Sequence, residues 1–205
     1  MTNQAILVFQ KNLIAGKTKT RLAATIGNEK ALSVYKQLVV LTMNALKNPG
    51  VDKCIYYSEF IPLESRLLGN KAYGNIRVFV QRGEDLGLRM LNSFSDQFKS
   101  GYSRIIIIGT DCPDLKQEYI QQAFDLLKTY DIVIGPAADG GYYLLGMSEL
   151  HPELFKNVTW STSGVYKQTV DIIFKLALTH AELPVLRDLD NEDDLNHFKR
   201  LQILT

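Results

Sequence analysis

The sequence predicts an α/β fold with a mainly parallel central sheet and helices on both faces. Short apolar runs alternate with helical patterns from end to end, and the most hydrophobic run, residues 105–108, consists of four isoleucines. β-branched residues favour strands, and a run without polar side chains is typical of a strand covered on both faces. Strands that alternate with helices indicate parallel pairing. The length of 205 residues fits a single domain, residues 1–205.

The first half of the chain predicts three strands and two helices. Apolar runs bounded by polar residues predict strands at residues 5–9, 54–57 and 76–80. Apolar residues three and four positions apart predict helices within residues 32–46 and 88–98. We expect the first helix to stop at Asn48, Pro49 and Gly50, because proline cannot continue a helix and glycine commonly follows one.

The second half adds three strands after the isoleucine strand. They are predicted at residues 132–134, 142–145 and 183–186. Helices are predicted within residues 120–127, 166–177 and 192–201. Pro184 has no N–H to donate, which predicts an edge strand or a strand start at 183–186. The acidic residues 192–194 suit the start of the last helix, since carboxylates there offset the helix dipole.

Composition excludes several classes of protein. The formal net charge is +1, so the charge balance gives no support to a nucleic-acid partner or an anionic membrane surface. The two cysteines, Cys54 and Cys112, form no Cys-x-x-Cys pair and are too few for a disulfide scaffold. No apolar run approaches the roughly 20 residues of a membrane helix, and no basic leader precedes the first strand. We therefore expect a cytoplasmic protein, with its oligomeric state left open.

A basic loop follows the first strand at residues 11–22. It contains four cations and one glycine: Lys11, Lys17, Lys19, Arg21 and Gly16. Ligands of α/β sheets bind at the carboxyl ends of strands, and phosphates need cationic donors and free N–H groups at a helix start. The position of the loop favours a phosphate-binding role over a merely solvated surface. The segment 16–18 (GKT) resembles the end of a P-loop, but Lys11 stands where that motif needs a glycine.

A carboxylate stands directly after the isoleucine strand, in the segment 109–115 (GTDCPDL). Asp111 is expected to face the ligand crevice, and Mg²⁺ or Mn²⁺ is commonly held by one or two carboxylates together with substrate phosphates. The alternative is a helix-capping role. Asp111 is therefore the first candidate metal ligand.

Two further acidic segments follow. The segment 139–142 (DGGY) is either a tight turn between strands or a place where the glycines let a substrate approach the backbone. Near the end, Asp188 and Asp190 alternate along an extended segment and should face the same side. Either of them could join Asp111 at a metal ion.

Six segments in this order resemble one known family. They are the basic loop, the segment 85–90 (DLGLRM), the segment 109–113, the turn 139–142, the segment 160–162 (WST) and the pair Asp188 and Asp190. The sequence resembles the glycosyltransferase-like family, formerly a domain of unknown function (DUF2064), that is related to phospholactate guanylyltransferase. The resemblance extends over almost the whole chain. It implies a three-layer GT-A fold, the fold of the nucleotide-diphospho-sugar transferases.

The resemblance also implies a role for each segment. The residues expected to bind the nucleotide and its phosphates are Lys11, Gly16, Lys19, Arg21 and Arg89. Asp111 and Asp190 are expected to hold Mg²⁺ or Mn²⁺, and Asp111 and Asp139 to serve catalysis. The acceptor side would be lined by Gly140, Gly141, Tyr142 and Trp160.

These expectations combine into a metal-dependent transferase that uses a nucleotide-diphosphate donor. The sequence contains no convincing Ser-His-Asp or Cys-His arrangement, which suits chemistry based on electrostatic stabilisation of phosphate. Glycosyl transfer from a nucleotide sugar to a small acceptor is preferred, because the glycine-rich loop of common nucleotidyltransferases is not found here. The alternatives are a pyrophosphate-releasing nucleotidyltransferase and a non-catalytic nucleotide-binding protein. The base, the donor group and the acceptor are left open.

Overall fold

The computed structural model describes residues 3–47, 50–63 and 75–204. Within these segments seven strands form one sheet: β1 (Gln4–Gln10), β2 (Asp52–Tyr57), β3 (Ile76–Val80), β4 (Arg104–Ile108), β5 (Ile132–Pro136), β6 (Tyr142–Met147) and β7 (His180–Glu182). The α-helices are α1 (Thr20–Ile26), α2 (Asn28–Ala45), α3 (Leu86–Lys99), α4 (Gln117–Leu126), α5 (Val165–Lys175) and α6 (Glu192–Arg200). A short 3-10 helix spans Pro152–Phe155.

The strands lie in the order β3-β2-β1-β4-β6-β5-β7. The pairs β2–β3, β1–β2, β1–β4 and β5–β7 are parallel, and β6 is antiparallel to both of its neighbours. The reversal of β6 follows from the short turn at residues 137–141, which joins it to β5. The prediction of a mainly parallel sheet is confirmed.

Helices cover both faces of the sheet, as predicted. Side chains alternate along each central strand, so neighbouring residues belong to different cores. Ile106 and Ile108 pack in one cluster with Phe124 of α4, and Ile105 and Ile107 pack in the other with Phe94 of α3. All four isoleucines are buried, which explains why this strand is uniformly apolar.

The predicted strand at residues 183–186 is wrong. The last strand is β7, three residues earlier, and it pairs in parallel with β5. Residues 183–186 continue past β7 outside any strand: the Leu183 N–H donates to the Ile134 carbonyl at 2.9 Å and the Leu186 N–H to the Pro136 carbonyl at 3.1 Å, and Ala137 and Leu186 form an isolated bridge. Pro184 cannot donate to a strand ladder, and Val185 is exposed, so the apolar run is explained by the burial of Leu183 and Leu186.

The short helix α1 was not predicted. Leu22 is its one buried residue, so it has no apolar stripe that a periodic pattern could reveal. Helix α2 ends at Ala45, and the predicted stop at Asn48 and Pro49 lies outside the described residues. Among the described residues, no helix combines the length and the apolar character that crossing a lipid bilayer requires.

Candidate active site

The sheet topology brings the predicted ligand segments to one edge. β1 and β4 are parallel neighbours, so the basic loop after β1 and the segment after β4 leave the sheet side by side. The segment that carries Asp188 and Asp190 joins them, because the Leu189 N–H donates to the Asp111 carbonyl at 2.9 Å. Ala137, after β5, bridges to Leu186 at the start of the same segment. Carboxylates distant in sequence therefore meet beside the basic loop.

Lys19 lies at the centre of an ion-pair cluster. Its Nζ is 2.5 Å from Asp111 Oδ1 and 3.3 Å from Asp190 Oδ1. Arg21 Nη1 lies 3.2 Å from the other oxygen of Asp190, Oδ2. The Lys19 side chain is 4% exposed, whereas that of Arg21 is 73% exposed. The structure thus brings four of the predicted site residues together, with one cation buried and the other facing solvent.

The buried ammonium of Lys19 stays charged. Burial opposes the charged form, but the carboxylates of Asp111 and Asp190 outweigh it and raise the pKa of Lys19 above its usual value. The backbone of Lys19 is left-handed, with φ 49° and ψ 48°, at the N-cap of α1. A side chain other than glycine is strained in this conformation. The fold therefore holds Lys19 against its local preference, directed at the carboxylates.

Asp188 has one unsatisfied carboxylate oxygen. Its Oδ1 is buried and accepts no hydrogen bond from any residue that the structure describes. Burial first, and then the negative charges of Asp111 and Asp139, raise the pKa of Asp188 to about 7. A buried polar atom without a partner is unfavourable. Because the surrounding side chains are carboxylates, a cation is the partner that would satisfy the Asp188 oxygen best. From their alternation in the sequence, Asp188 and Asp190 are equally good candidates for the second metal ligand. In the structure they differ, because of the two only Asp190 has both oxygens in ion pairs.

The ligand atoms at this position are oxygens, which suits Mg²⁺ or Mn²⁺. Within the described part of the chain, no three His, Cys, Asp or Glu side chains are placed to hold a metal by themselves. Two carboxylates would therefore need oxygens from a substrate and from water to complete an octahedral shell. This requirement matches a metal that binds together with phosphate groups.

Tyr35 of α2 connects the two loops of the site. Its hydroxyl accepts from the Lys11 N–H at 2.9 Å and shares a hydrogen bond with Thr110 Oγ1 at 2.7 Å. The side chain is 1% exposed. Tyr35 thereby fixes the start of the basic loop relative to the residue before Asp111. In the sequence, Tyr35 belongs to the apolar spacing that predicts a helix within residues 32–46, and its polar hydroxyl is the one signal of this second role.

A cavity of about 230 Å³ lies between the loops after β1 and β2. It is lined by Lys11, Asn12, Lys17, Ser58, Glu59 and Arg89. Lys11 and Arg89 were predicted to bind the nucleotide, and the structure places them in this common cavity. Arg89 is oriented by its Nε, which donates to the Gly83 carbonyl at 3.0 Å. Lys17 pairs with Glu59 across the cavity at 2.9 Å.

Asn12 shapes this cavity and was missed as a functional residue. Its Oδ1 accepts from the Glu59 N–H at 2.9 Å, and its Nδ2 donates to the Phe60 carbonyl at 2.8 Å. The residue is 2% exposed. One buried amide therefore connects the loop after β1 to the loop after β2. Gly16 in the same loop has φ 77°, a backbone conformation that favours glycine.

The predicted acceptor side forms a tightly packed turn. The Oδ1 of Asp139 accepts from the Gly141 N–H at 2.9 Å. Gly140 has φ 90°, and a Cβ there would lie 2.1 Å from the Ser163 carbonyl oxygen. Packing therefore accounts for Gly140 without a substrate. Asp139 remains exposed at the mouth of the site, where its charge acts on Asp188.

Trp160 packs against helix α3. A Cβ at Gly87 would lie 2.3 Å from the Trp160 ring nitrogen, so the indole rests directly on the first turn of that helix. Tyr142 lies on the same side, with its hydroxyl 3.8 Å from the Met90 sulfur. Trp160 thus packs on the first turn of the helix that carries Arg89. Two of the predicted acceptor residues, Trp160 and Tyr142, therefore contact α3, and their contacts support the position of that helix.

Comparison with known proteins identifies the family. Residues 42–162 match the model of a family described as uncharacterized proteins conserved in bacteria, DUF2064. The chain belongs to this family. A crystal structure from Desulfovibrio desulfuricans G20, described as a nucleotide-diphospho-sugar transferase, is 34% identical, with 98% of this chain and 88% of that chain covered and a TM-score of 0.90. No curated protein matches the chain.

More distant structures share the fold alone. The inositol-1-phosphate CTP transferase of T. maritima is 13% identical, with a TM-score of 0.60 over 98% of this chain and 94% of that chain. Rv0371c of Mycobacterium tuberculosis H37Rv, solved in complex with manganese, is 14% identical, with a TM-score of 0.50 over 95% and 96% of the two chains. These distant structures confirm the predicted GT-A-like fold. The predicted enzyme class, glycosyltransferase-like or nucleotidyltransferase, is confirmed by the 34% identical structure described above.

Proposed function

We propose that this DUF2064 protein is a divalent-metal-dependent transferase that acts on a nucleotide-diphosphate donor. One observation carries the proposal: the buried Lys19 ammonium lies between Asp111 and Asp190 at the carboxyl edge of the sheet. A diphosphate bridged by a metal needs carboxylates for the metal and cations for its own oxygens, side by side. The fold shared with the D. desulfuricans structure supports a nucleotide as the donor.

The carboxylates of this site fit a divalent ion. Asp111 is 40% exposed and accessible from solvent, and the Asp188 Oδ1 has no hydrogen-bond partner within the described segments. Asp111 is the first ligand in this proposal, with Asp190 or Asp188 as the second. The manganese bound in the Rv0371c structure supports this choice of metal. When bound, Mg²⁺ or Mn²⁺ would neutralise phosphate oxygens as negative charge develops on them.

The cations of the chain have distinct tasks in this proposal. Lys19 and Arg21 lie next to the metal-binding carboxylates and would bind the phosphate oxygens that the metal bridges. Lys11 and Arg89 line the neighbouring cavity and would hold the more distant part of the donor. Fixed cations of this kind stabilise charge in the transition state without reorganising. Asp139, exposed on the turn between β5 and β6, would orient the hydroxyl of a small acceptor.

Glycosyl transfer is the preferred reaction. The relative that is 34% identical is described as a nucleotide-diphospho-sugar transferase, and the exposed carboxylate of Asp139 could bind an acceptor hydroxyl. In this reaction the sugar–phosphate bond breaks and a nucleoside diphosphate leaves. Nucleotidyl transfer is the second candidate, because Lys11, Lys17 and Arg89 share one cavity and could hold a departing pyrophosphate.

A thermal-shift screen tests the proposal. Nucleotides and nucleotide sugars are added with and without Mg²⁺ or Mn²⁺, and a true donor should raise the melting temperature only when metal is present. The stabilised donor is then incubated with pools of small acceptors, and the products are identified by mass spectrometry. A nucleoside diphosphate among the products indicates glycosyl transfer, and pyrophosphate indicates nucleotidyl transfer. If no nucleotide stabilises the protein under either condition, the proposal is refuted.

A further inference from the structure

Lys19 occupies the position that a metal ion would need. Its Nζ is 2.5 Å from Asp111 Oδ1, and a Mg²⁺ ion would lie about 2.1 Å from a carboxylate oxygen. An ammonium and a divalent ion cannot both approach the same oxygen so closely, because their charges repel each other. Binding of a metal at Asp111 Oδ1 therefore requires the Lys19 ammonium to move away from that oxygen.

The ammonium cannot simply be released. The Lys19 side chain is almost fully buried, and a buried charge without a counter-ion is strongly unfavourable. Asp190 could keep one contact, but it already pairs with Arg21 through its second oxygen. A phosphate group that arrives with the metal would offer Lys19 a new anionic partner. The metal and the nucleotide are thus linked through one side chain.

We infer that Lys19 is a built-in counter-ion that holds Asp111 and Asp190 in the metal-free protein, so that the metal enters only together with a nucleotide whose phosphates take over the Lys19 ammonium. The inference rests on the proposed function and specifies its binding order. Free metal binds weakly, because it must displace a buried cation whose remaining partner, Asp190, is already shared with Arg21. The metal–nucleotide complex binds well, because it supplies that partner.

The left-handed backbone of Lys19 supports this role. A residue with φ 49° is strained unless it is glycine, so the local conformation is held by the surrounding structure. In this conformation the side chain points inward to the carboxylates, and the neighbouring Arg21 points to solvent. Lys17, two residues earlier, pairs with Glu59 in the separate cavity and provides a matched comparison from the same loop.

The test measures Mn²⁺ affinity without any nucleotide, by the loss of the free-ion EPR signal. We expect Lys19→Met and Lys19→Gly to bind Mn²⁺ at least tenfold more tightly than the unmodified protein, and Lys17→Met to change the affinity by less than twofold. Lys19→Gly also relieves the left-handed strain, so it protects the experiment against misfolding. Equal or weaker Mn²⁺ binding in both Lys19 variants would overturn the inference.

Thermal melts give a second readout that does not depend on activity. Loss of the ammonium leaves the carboxylates unbalanced, so both Lys19 variants should melt at a lower temperature in chelator and recover with Mn²⁺ alone. Variants that Mn²⁺ fails to stabilise would refute the exchange of ammonium for metal. The unmodified protein separates this inference from the proposed function: if it binds nucleotide with Mn²⁺ while the Lys19 variants show no gain, the function stands and the binding order is wrong.

Discussion

Replacement of Tyr35 by phenylalanine tests whether a single buried hydroxyl aligns the two halves of the site. The change removes one oxygen and keeps the ring. It deletes the acceptor of the Lys11 N–H at 2.9 Å and the partner of Thr110 Oγ1 at 2.7 Å. The Thr110 hydroxyl can rotate to another partner, but the backbone N–H cannot. A lost hydrogen bond and an unpaired buried donor together cost roughly 2 kcal/mol.

This loss should be easy to measure. For a chain of this size, 1 kcal/mol corresponds to a shift of about 2–4 °C in melting temperature, so Tyr35→Phe should melt about 4–8 °C lower. Urea unfolding gives the free energy directly, and isothermal titration should show weaker nucleotide binding because the Lys11 loop is no longer anchored. Tyr130→Phe, at an exposed tyrosine, is the matched control and should change stability by less than about 0.5 kcal/mol. If Tyr35→Phe behaves like this control in both assays, the proposed alignment by Tyr35 is incorrect.

Three further predictions follow from other parts of the site. Asp111→Asn should lower turnover by about 100-fold or more and abolish metal-dependent stabilisation by nucleotide, and near-normal turnover in a steady-state assay would remove Asp111 from the mechanism. Gly140→Ala should destabilise the protein by about 3 kcal/mol, because its Cβ would lie 2.1 Å from the Ser163 carbonyl oxygen at φ 90°; a urea midpoint equal to that of the unmodified protein contradicts this packing. In chelator, stability should fall as pH rises from about 4, where Asp188 ionises in the unfolded chain, to about 7, where it ionises in the folded one. The folded state binds the extra proton in that range, so Asp188→Asn should flatten the slope of urea midpoints against pH, and an unchanged slope would exclude Asp188 as its source.

The centre of the sheet could be read from the sequence because each signal there is unambiguous. The isoleucines of β4 allow no amphipathic alternative, and Asp111 follows them at the edge where ligands bind. The last strand was misplaced because regular pairing with β5 is interrupted at Pro184, although Leu183 and Leu186 on either side still donate to β5 carbonyls. Leu183 and Leu186 are buried, whereas the paired strand is the more polar β7. The apolar side chains of residues 183–186 predicted which residues are buried. They could not predict where the strand lies, because a continuous strand also needs backbone N–H groups, and Pro184 has none.

The supporting residues of the site could not be found in the same way. Tyr35 and Asn12 act through partners 24 to 75 positions away in the chain, and no local pattern encodes those partners. Alternation placed Asp188 and Asp190 on one side but could not rank them. Their difference arises from packing: Arg21 and Lys19 reach Asp190, and the buried Asp188 Oδ1 has no partner in the part of the chain that the structure describes.

The reversed strand β6 has a practical consequence for handling the protein. Because β6 runs against β4 and β5, the turn that carries Asp139 lies at the same end of the sheet as the loops after β1 and β4. The connection between α3 and β4 lies at the opposite end, and Ser100 there is exposed. A fluorophore or a surface tether attached through a cysteine at position 100 would leave the reactive end facing free solution, suitable for immobilised binding measurements.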